Sequence, residues 1–293
     1  MIIKNNDEIS RYQIIVSHSN ENHGGIMKRI VFITMVLTVI IALMVFLYFK
    51  VFMKIDYSQT RFEKLTKLAT QNDMKAQFQL GIRYDNGIDV DKNTEEAMKW
   101  YRKSAVNGYA TAQYLLGYLN YRGESIEQDK QEAIKWFELA SEQGDADAQY
   151  YLGWMFENDD SLNHNVSKAF KYYKLAADQG HAWAQYFLGR MYENAINVEH
   201  SNQIAIKWYK RSAEQGNAYA QFKLGLMNYG GKGTIRNYEQ AYYWWMLVCA
   251  ISNDEQLIDD AMCNRDLAAK NLNPSQIEKL DKQARNYLKK KDW

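Results

Sequence analysis

The residues best suited to chemistry are few and scattered. GGKGT at Gly230–Thr234 has the glycines and lysine of a phosphate-cradling loop, but it lacks the Gly-Lys-Ser/Thr ending and the preceding strand such a loop needs. It falls instead where a turn between helices is expected. Glu157, Asp159 and Asp160 offer carboxylates to a cation without the alternating spacing of a calcium loop, and read as a solvated loop. His164, His181 and His200 show no metal-ligand pairing and read as surface residues. The two cysteines, Cys249 and Cys263, are too few for a disulfide scaffold. Cys249 reads as a small buried residue, and a bridge to Cys263 is an option only in an oxidising compartment. No nucleophile–base–acid set emerges. The expectation is a chain with no catalytic residue, no metal and no cofactor.

What the sequence does instead is repeat itself. AQFQLG at Ala76–Gly81 returns as AQYLLG, AQYYLG, AQYFLG and AQFKLG, ending at Gly117, Gly153, Gly189 and Gly225. The step is about 36 residues, the period of a stacked helical array. Each unit parses as two helices, with the hexapeptide on the first. The second opens at Asn93, Asp129, Asn165, Ser201 and Asn237, residue types whose side chains accept from free first-turn amides. Glu96, Glu132 and Gln240, three residues on, complete a capping-box pattern. Gly108, Gly144, Gly180 and Gly216 close it as left-handed caps.

A glycine inside a helix costs about 1 kcal/mol relative to alanine, so five retained copies imply a compensating close contact. The expected partner is the ring column Trp100, Trp136, Tyr172, Trp208 and Trp244, with an alanine three residues before each ring. A leucine column from Leu80 to Leu224 is expected to bury beside it.

This combination of A-x-A-Q-x-x-L-G, a later A-x-x-W/Y and terminal SAVNG, ASEQG, AADQG and SAEQG resembles the Sel-one-like repeat family over about Asp73–Ala250. The resemblance implies a right-handed α/α solenoid related to tetratricopeptide arrays, with a non-enzymatic adaptor, regulatory or scaffolding role. The inter-helix loop of the family usually carries a glycine, present as Gly87, Gly123 and Gly231. ENDDSLNHN and ENAINVEHS replace it in the third and fourth copies, leaving loop geometry there open. Some cysteine-rich secreted members are linked to binding or hydrolysing β-lactams, but their paired cysteines are absent here. An envelope enzyme or β-lactam-binding protein is therefore the alternative reading.

Along the chain of 293 residues, 1–29 read as a polar flexible tail, 30–50 as a membrane anchor and 51–72 as linker and N-capping helix. Residues 73–250 hold the five repeats and 251–293 two C-terminal capping helices, one of them opening at Asn273-Pro274. Ile30–Phe49 carries no charge and has the roughly 20-residue length that crosses a bilayer. No small-residue cleavage site follows it, so it reads as uncleaved. Lys50, Lys54, Arg61 and Lys64 behind the span favour a cytoplasmic repeat domain, but Lys4, Arg11, Lys28 and Arg29 ahead of it would then be exported. The expectation is a single-pass protein of a bacterial inner membrane with its repeats in the periplasm, the cytoplasmic side being the alternative. A net charge of +1 disfavours nucleic acid as a partner.

The positions that differ between copies form an i, i+4, i+7 stripe on the first helices. In the middle copies it holds Tyr118, Tyr151, Trp154, Trp183, Phe187 and Arg190, continuing to Tyr219. First helices line the inner surface of such solenoids, and Trp, Tyr and Arg are the side chains enriched at interface hot spots. The stripe is the expected site for a protein or peptide partner, such as a secreted toxin or a component of an envelope complex. An immunity protein neutralising a toxin is one concrete form. Packing between repeats is the competing use of these rings.

Overall fold

The computed structural model describes residues 60–123, 127–159 and 164–291. The expected tail, the anchor Ile30–Phe49 and most of the linker lie outside the described residues. Among the described residues there are thirteen α-helices and no strand, and no helix is long and apolar enough to cross a membrane.

Helix α1, Phe62–Thr70, precedes five pairs. The first helices are α2 (Met74–Asn86), α4 (Ala110–Arg122), α6 (Ala146–Asn158), α8 (Ala182–Glu193) and α10 (Ala218–Gly230). The second helices are α3 (Thr94–Val106), α5 (Lys130–Glu142), α7 (Val166–Asp178), α9 (Asn202–Glu214) and α11 (Tyr238–Ile251). Two more, α12 (Glu255–Ala269) and α13 (Pro274–Lys290), close the array. Neighbouring first helices touch in the middle of the stack, α4 with α6 and α6 with α8, while successive second helices meet at most marginally. The array of residues 62–291 therefore curves with its first helices inside.

The caps explain why the pairs begin where they do. Asn93, Asp129, Asn165, Ser201 and Asn237 each accept from the backbone amide three residues on. The return half of the box differs from expectation. Glu96 and Glu132 turn outward to Lys99 and Lys135, and the full reciprocal box forms at Asn273 and Gln276 instead. Gly87, Gly123 and Gly231 take φ of +68°, +70° and +70° behind the first helices. In the fourth repeat the same reversal is made without glycine, by Ala195 and Asn197 at φ of +56° and +59°. The third repeat leaves its helix extended at Asp159, and residues 160–163 lie outside the described residues.

The mid-helix glycines do admit rings, but from a different column than expected. A methyl placed on Gly81 or Gly117 would fall 2.6 Å from ring carbons of Tyr101 or Phe137. On Gly153 or Gly189 it would fall 2.7 Å from Tyr173 or Tyr209, and on Gly225 it would strike Trp245. The ring is thus four residues after the buried alanine (Ala97, Ala133, Ala169, Ala205, Ala241), not three. Both offsets share a helix face, and only the crossing of the two helices selects between them. The displaced column stays half-buried on the second helices, where Lys103 lies 4.2 Å from the Trp100 ring centroid and Arg211 4.7 Å from Trp208. The leucines Leu80, Leu116, Leu152, Leu188 and Leu224 are buried as expected.

The glutamine of the hexapeptide has its own task. The Nε2 of Gln77, Gln113, Gln149, Gln185 and Gln221 donates to the carbonyl eight residues back, at 3.0 to 3.3 Å. The Oε1 of the first four accepts from Asn107, Gln143, Gln179 and Gln215 of the following second helix, at 2.7 to 2.8 Å. One buried side chain therefore joins three successive helices, and satisfies both ends of its amide in doing so.

Candidate partner-binding surface

The stripe lies on the inner helices α4, α6, α8 and α10, yet its members are not equivalent. Tyr151 stacks on Phe137 of the preceding second helix at 5.4 Å and 6°. Phe187 stacks on Tyr173 at 5.1 Å and 3°. Each of these rings backs the ring that fills a glycine notch, so both pack between repeats. Tyr118 meets Tyr151 edge-on at 5.6 Å, and Trp154 meets Tyr121 at 5.7 Å. Trp183 is 41% exposed and lies 5.5 Å from Tyr219 of the next repeat. The structure thus gathers the seven residues into one row across four repeats, with Trp183 its most open ring.

Arg190 sits over Phe187 at 4.7 Å and reaches back one repeat to the Glu157 carboxylate. Glu157 also accepts from the Tyr173 hydroxyl at 2.8 Å. One repeat on, Glu193 accepts from Tyr209 at 2.6 Å and pairs with Lys223 at 3.0 Å. Burial and then the Glu157 charge hold the Tyr173 hydroxyl protonated far above the ordinary phenol range. The solvated-loop reading of Glu157 and Asp159 is therefore wrong. They are 8% and 7% exposed, and Asp159 pairs with Lys130 of the preceding repeat at 2.7 Å. Arg190 of the next repeat covers Glu157, while Lys130 of the preceding repeat holds Asp159. Asp160 lies outside the described residues.

A rule connects these groups. The column Asp85, Tyr121, Glu157, Glu193 and Tyr229 stands sixteen residues before the notch rings. Where it holds a carboxylate the ring is a tyrosine: Tyr101, Tyr173 and Tyr209. Where it holds a tyrosine the ring has no hydroxyl: Phe137 and Trp245. A buried hydroxyl needs an acceptor, so the two columns change together within one chain.

His181 also departs from the surface reading. Its Nδ1 accepts from the Ala184 amide at 3.1 Å as the cap of α8, its Nε2 lies 3.2 Å from Asp147, and its ring stacks on Tyr150 at 4.6 Å. That hydrogen bond from His181 holds the Asp147 carboxyl below its usual range. Cys249 is half-buried and Cys263 exposed, and both are free thiols. Burial raises the Cys249 thiol. Among the described residues no three His, Cys, Asp or Glu side chains converge as a metal site.

Sel1 repeats match residues 75–109, 110–145, 146–181, 184–217 and 218–245, in register with the helix pairs. The chain belongs to the Sel1 repeat family. A Sel1 repeat protein from Oxalobacter formigenes is 25% identical, with a TM-score of 0.61 over 77% of this chain and 99% of that one. A protective antigen of uropathogenic Escherichia coli strains displaying an SLR fold is 26% identical, with a TM-score of 0.54. That match covers 78% of this chain and 56% of the antigen, so this Sel1 chain spans little more than half of its length. An immunity protein from Pseudomonas aeruginosa is 22% identical over 65% of this chain and 73% of its own, with a TM-score of 0.40. No curated protein sequence matches this one.

Sequence reasoning missed several residues that shape this Sel1 surface. The third position of the hexapeptide is always aromatic (Phe78, Tyr114, Tyr150, Tyr186, Phe222), and each ring lies 5.5 to 6.5 Å from its own repeat's notch ring. The periodicity was visible in the sequence. The carboxylates Glu157 and Glu193 were also in column, but their burial depends on Arg190 and Lys223 arriving from the next repeat.

Proposed function

We propose that this Sel1 repeat protein is a non-catalytic binding module that takes a protein or peptide partner along its inner face. The observation that carries the reading is the row Trp154, Trp183 and Tyr219, which continues over three repeats while the packing positions of those repeats are filled by other side chains. Large, partly open aromatic side chains on a rigid scaffold lose little entropy on binding and supply most of the energy at interfaces. The uncharged Ile30–Phe49 would hold the module at a bacterial inner membrane, with its repeats in the periplasm as an adaptor, a regulator or an immunity protein that neutralises an incoming toxin.

A photo-crosslinking residue at position 118 identifies the partner in cells, and a reporter fused to the C-terminus reads sidedness. Trp154→Ala combined with Trp183→Ala is expected to weaken capture of that partner by more than about 2 kcal/mol, with the circular dichroism of the wild type retained. Full capture by the double variant would remove the inner row as the site. Robust hydrolase turnover by the purified chain, abolished by one polar substitution, would replace the binding reading with the envelope-enzyme one.

A further inference from the structure

The inner row ends in a pocket whose chemistry is more specific than the row itself. It is an open pocket of about 400 Å³ where the fourth and fifth repeats meet the first closing helix. Trp183 and Tyr219 form one wall, Gln215 and Asn217 the junction of α9 and α10, and Ile251 and Asp254 the far side. Among the described residues, Asp254 is the one charged side chain of this lining. Its carboxylate caps α12 through the Leu257 amide at 3.1 Å and accepts from the Tyr219 hydroxyl. That hydroxyl bond holds the Asp254 carboxyl below its usual range, so it is ionised at neutral pH.

The geometry arises from a break in the array. At the four earlier junctions Asn107, Gln143, Gln179 and Gln215 reach back to a hexapeptide glutamine, but the equivalent position here is Ile251. Ser252 stands where the earlier repeats have glycine, and the chain turns into α12. Helix dipoles do not decide the sign of the pocket. The pocket gathers the N-terminal ends of α8, α10 and α12 and the C-terminal ends of α9 and α11, whose partial charges oppose one another, and the α12 end is capped by Asp254 itself. Two rings and a carboxylate without an ion-pair partner among the described residues remain, and both attract a cation. One repeat before Trp183, in the same column, stands the 60% exposed side chain of Asp147. The nearest cations of the inner row, Arg190 and Lys223, are paired with Glu157 and Glu193.

We infer that this pocket receives a basic side chain, arginine or lysine, of the partner, its cationic head lying over Trp183 and Tyr219 and directed at Asp254. The inference rests on the binding reading above and names the chemistry that the partner must present. It accounts for the exposure of Trp183, which no described residue covers.

The test uses the full-length chain and small probes. N-acetyl-arginine amide is titrated against the Trp183 indole resonance, with N-acetyl-citrulline amide as the neutral isostere and N-acetyl-leucine amide and N-acetyl-glutamate amide as controls. Saturable binding of the arginine probe is expected, at least tenfold tighter than the other three. Trp183→Ala should abolish it, and Asp254→Asn should weaken it at least fivefold while keeping the α12 cap, since asparagine caps as well as aspartate. Equal or tighter binding of the citrulline, leucine or glutamate probe overturns the inference, as does full arginine binding by Asp254→Asn. Partner capture that depends on Trp154 and Trp183 but is indifferent to Asp254→Asn refutes the cation pocket and leaves the inner-row reading standing. Partner capture unchanged in the Trp154→Ala, Trp183→Ala double variant overturns both readings, even if the free arginine probe binds selectively, because the pocket would then not be used by the partner.

Discussion

Repeats four and five carry nearly the same hexapeptide, AQYFLG and AQFKLG, on helices that superimpose in role, yet they complete their polar interiors differently. In repeat four, Gln185 uses both ends of its amide, and the notch ring Tyr209 gives its hydroxyl to Glu193. In repeat five, no group among the described residues pairs with the buried Oε1 of Gln221 or the buried Nε1 of Trp245. The acceptor column there holds Tyr229 in place of a carboxylate, and Ile251 replaces the amide donor. The closing helices α12 and α13 supply Leu257, Ala261 and Leu280 to the core around Trp245, which covers apolar surface but adds no hydrogen bond to these two atoms. Repeat four finds these partners on its own two helices and on the repeat before it, so the difference lies in the side chains that repeat five itself carries at those two columns, Tyr229 and Ile251.

That contrast is open to direct attack, and the glycine notch should give the largest effect. Gly225→Ala is expected to destabilise by about 3 kcal/mol in urea denaturation, because the rigid indole of Trp245 is in the way. Gly153→Ala, facing the single ring of Tyr173, should cost about 2 kcal/mol, overpacking there exceeding the gain in helix propensity. Adding Tyr173→Leu should recover part of that loss, whereas strict additivity of the two changes would disprove the close contact.

The glutamines provide the next comparison. Gln185→Leu removes two hydrogen bonds and leaves Gln215 with fewer partners, for an expected loss of about 2 kcal/mol. Gln221→Leu removes one hydrogen bond and an already unpartnered oxygen, so about 1 kcal/mol or less is expected. Equal losses in the same denaturation assay would mean that the relay contributes nothing beyond packing.

The smallest effect concerns the hydroxyl. Tyr173 has its folded pKa raised above the unfolded phenol value of about 10, so its stabilisation is complete below that pH and is lost as pH rises through and beyond it. Tyr173→Phe should lower stability by about 1 kcal/mol at neutral pH and flatten the fall in melting temperature above about pH 10. Phe137, the second repeat's natural version of that change, has no such hydroxyl to lose.

Much of this was legible beforehand because it is local and periodic. The five caps from Asn93 to Asn237, the closing glycines and the burial of Leu80 to Leu224 follow from residue type and spacing alone. The choice between Trp136 and Phe137 as the notch ring did not, since adjacent residues on one helix differ by about a hundred degrees and only the partner helix selects between them. The candidate surface divides the same way. Its row of rings was readable by period. That Tyr151 and Phe187 spend their faces on the preceding repeat, while Trp183 keeps its own open, was not.

The sequence by itself determined that helices form, where they start and stop, and that they recur in pairs, because capping and helix propensity act within a few residues. Only the tertiary structure decided which ring enters each glycine notch and that Glu157 and Asp159 are buried. It alone also left a carboxylate beside the exposed Trp183 ring and Tyr219 at the end of the array. Those outcomes depend on groups about 20 to 35 residues apart in sequence reaching one another between helices, at distances and angles that no local pattern encodes.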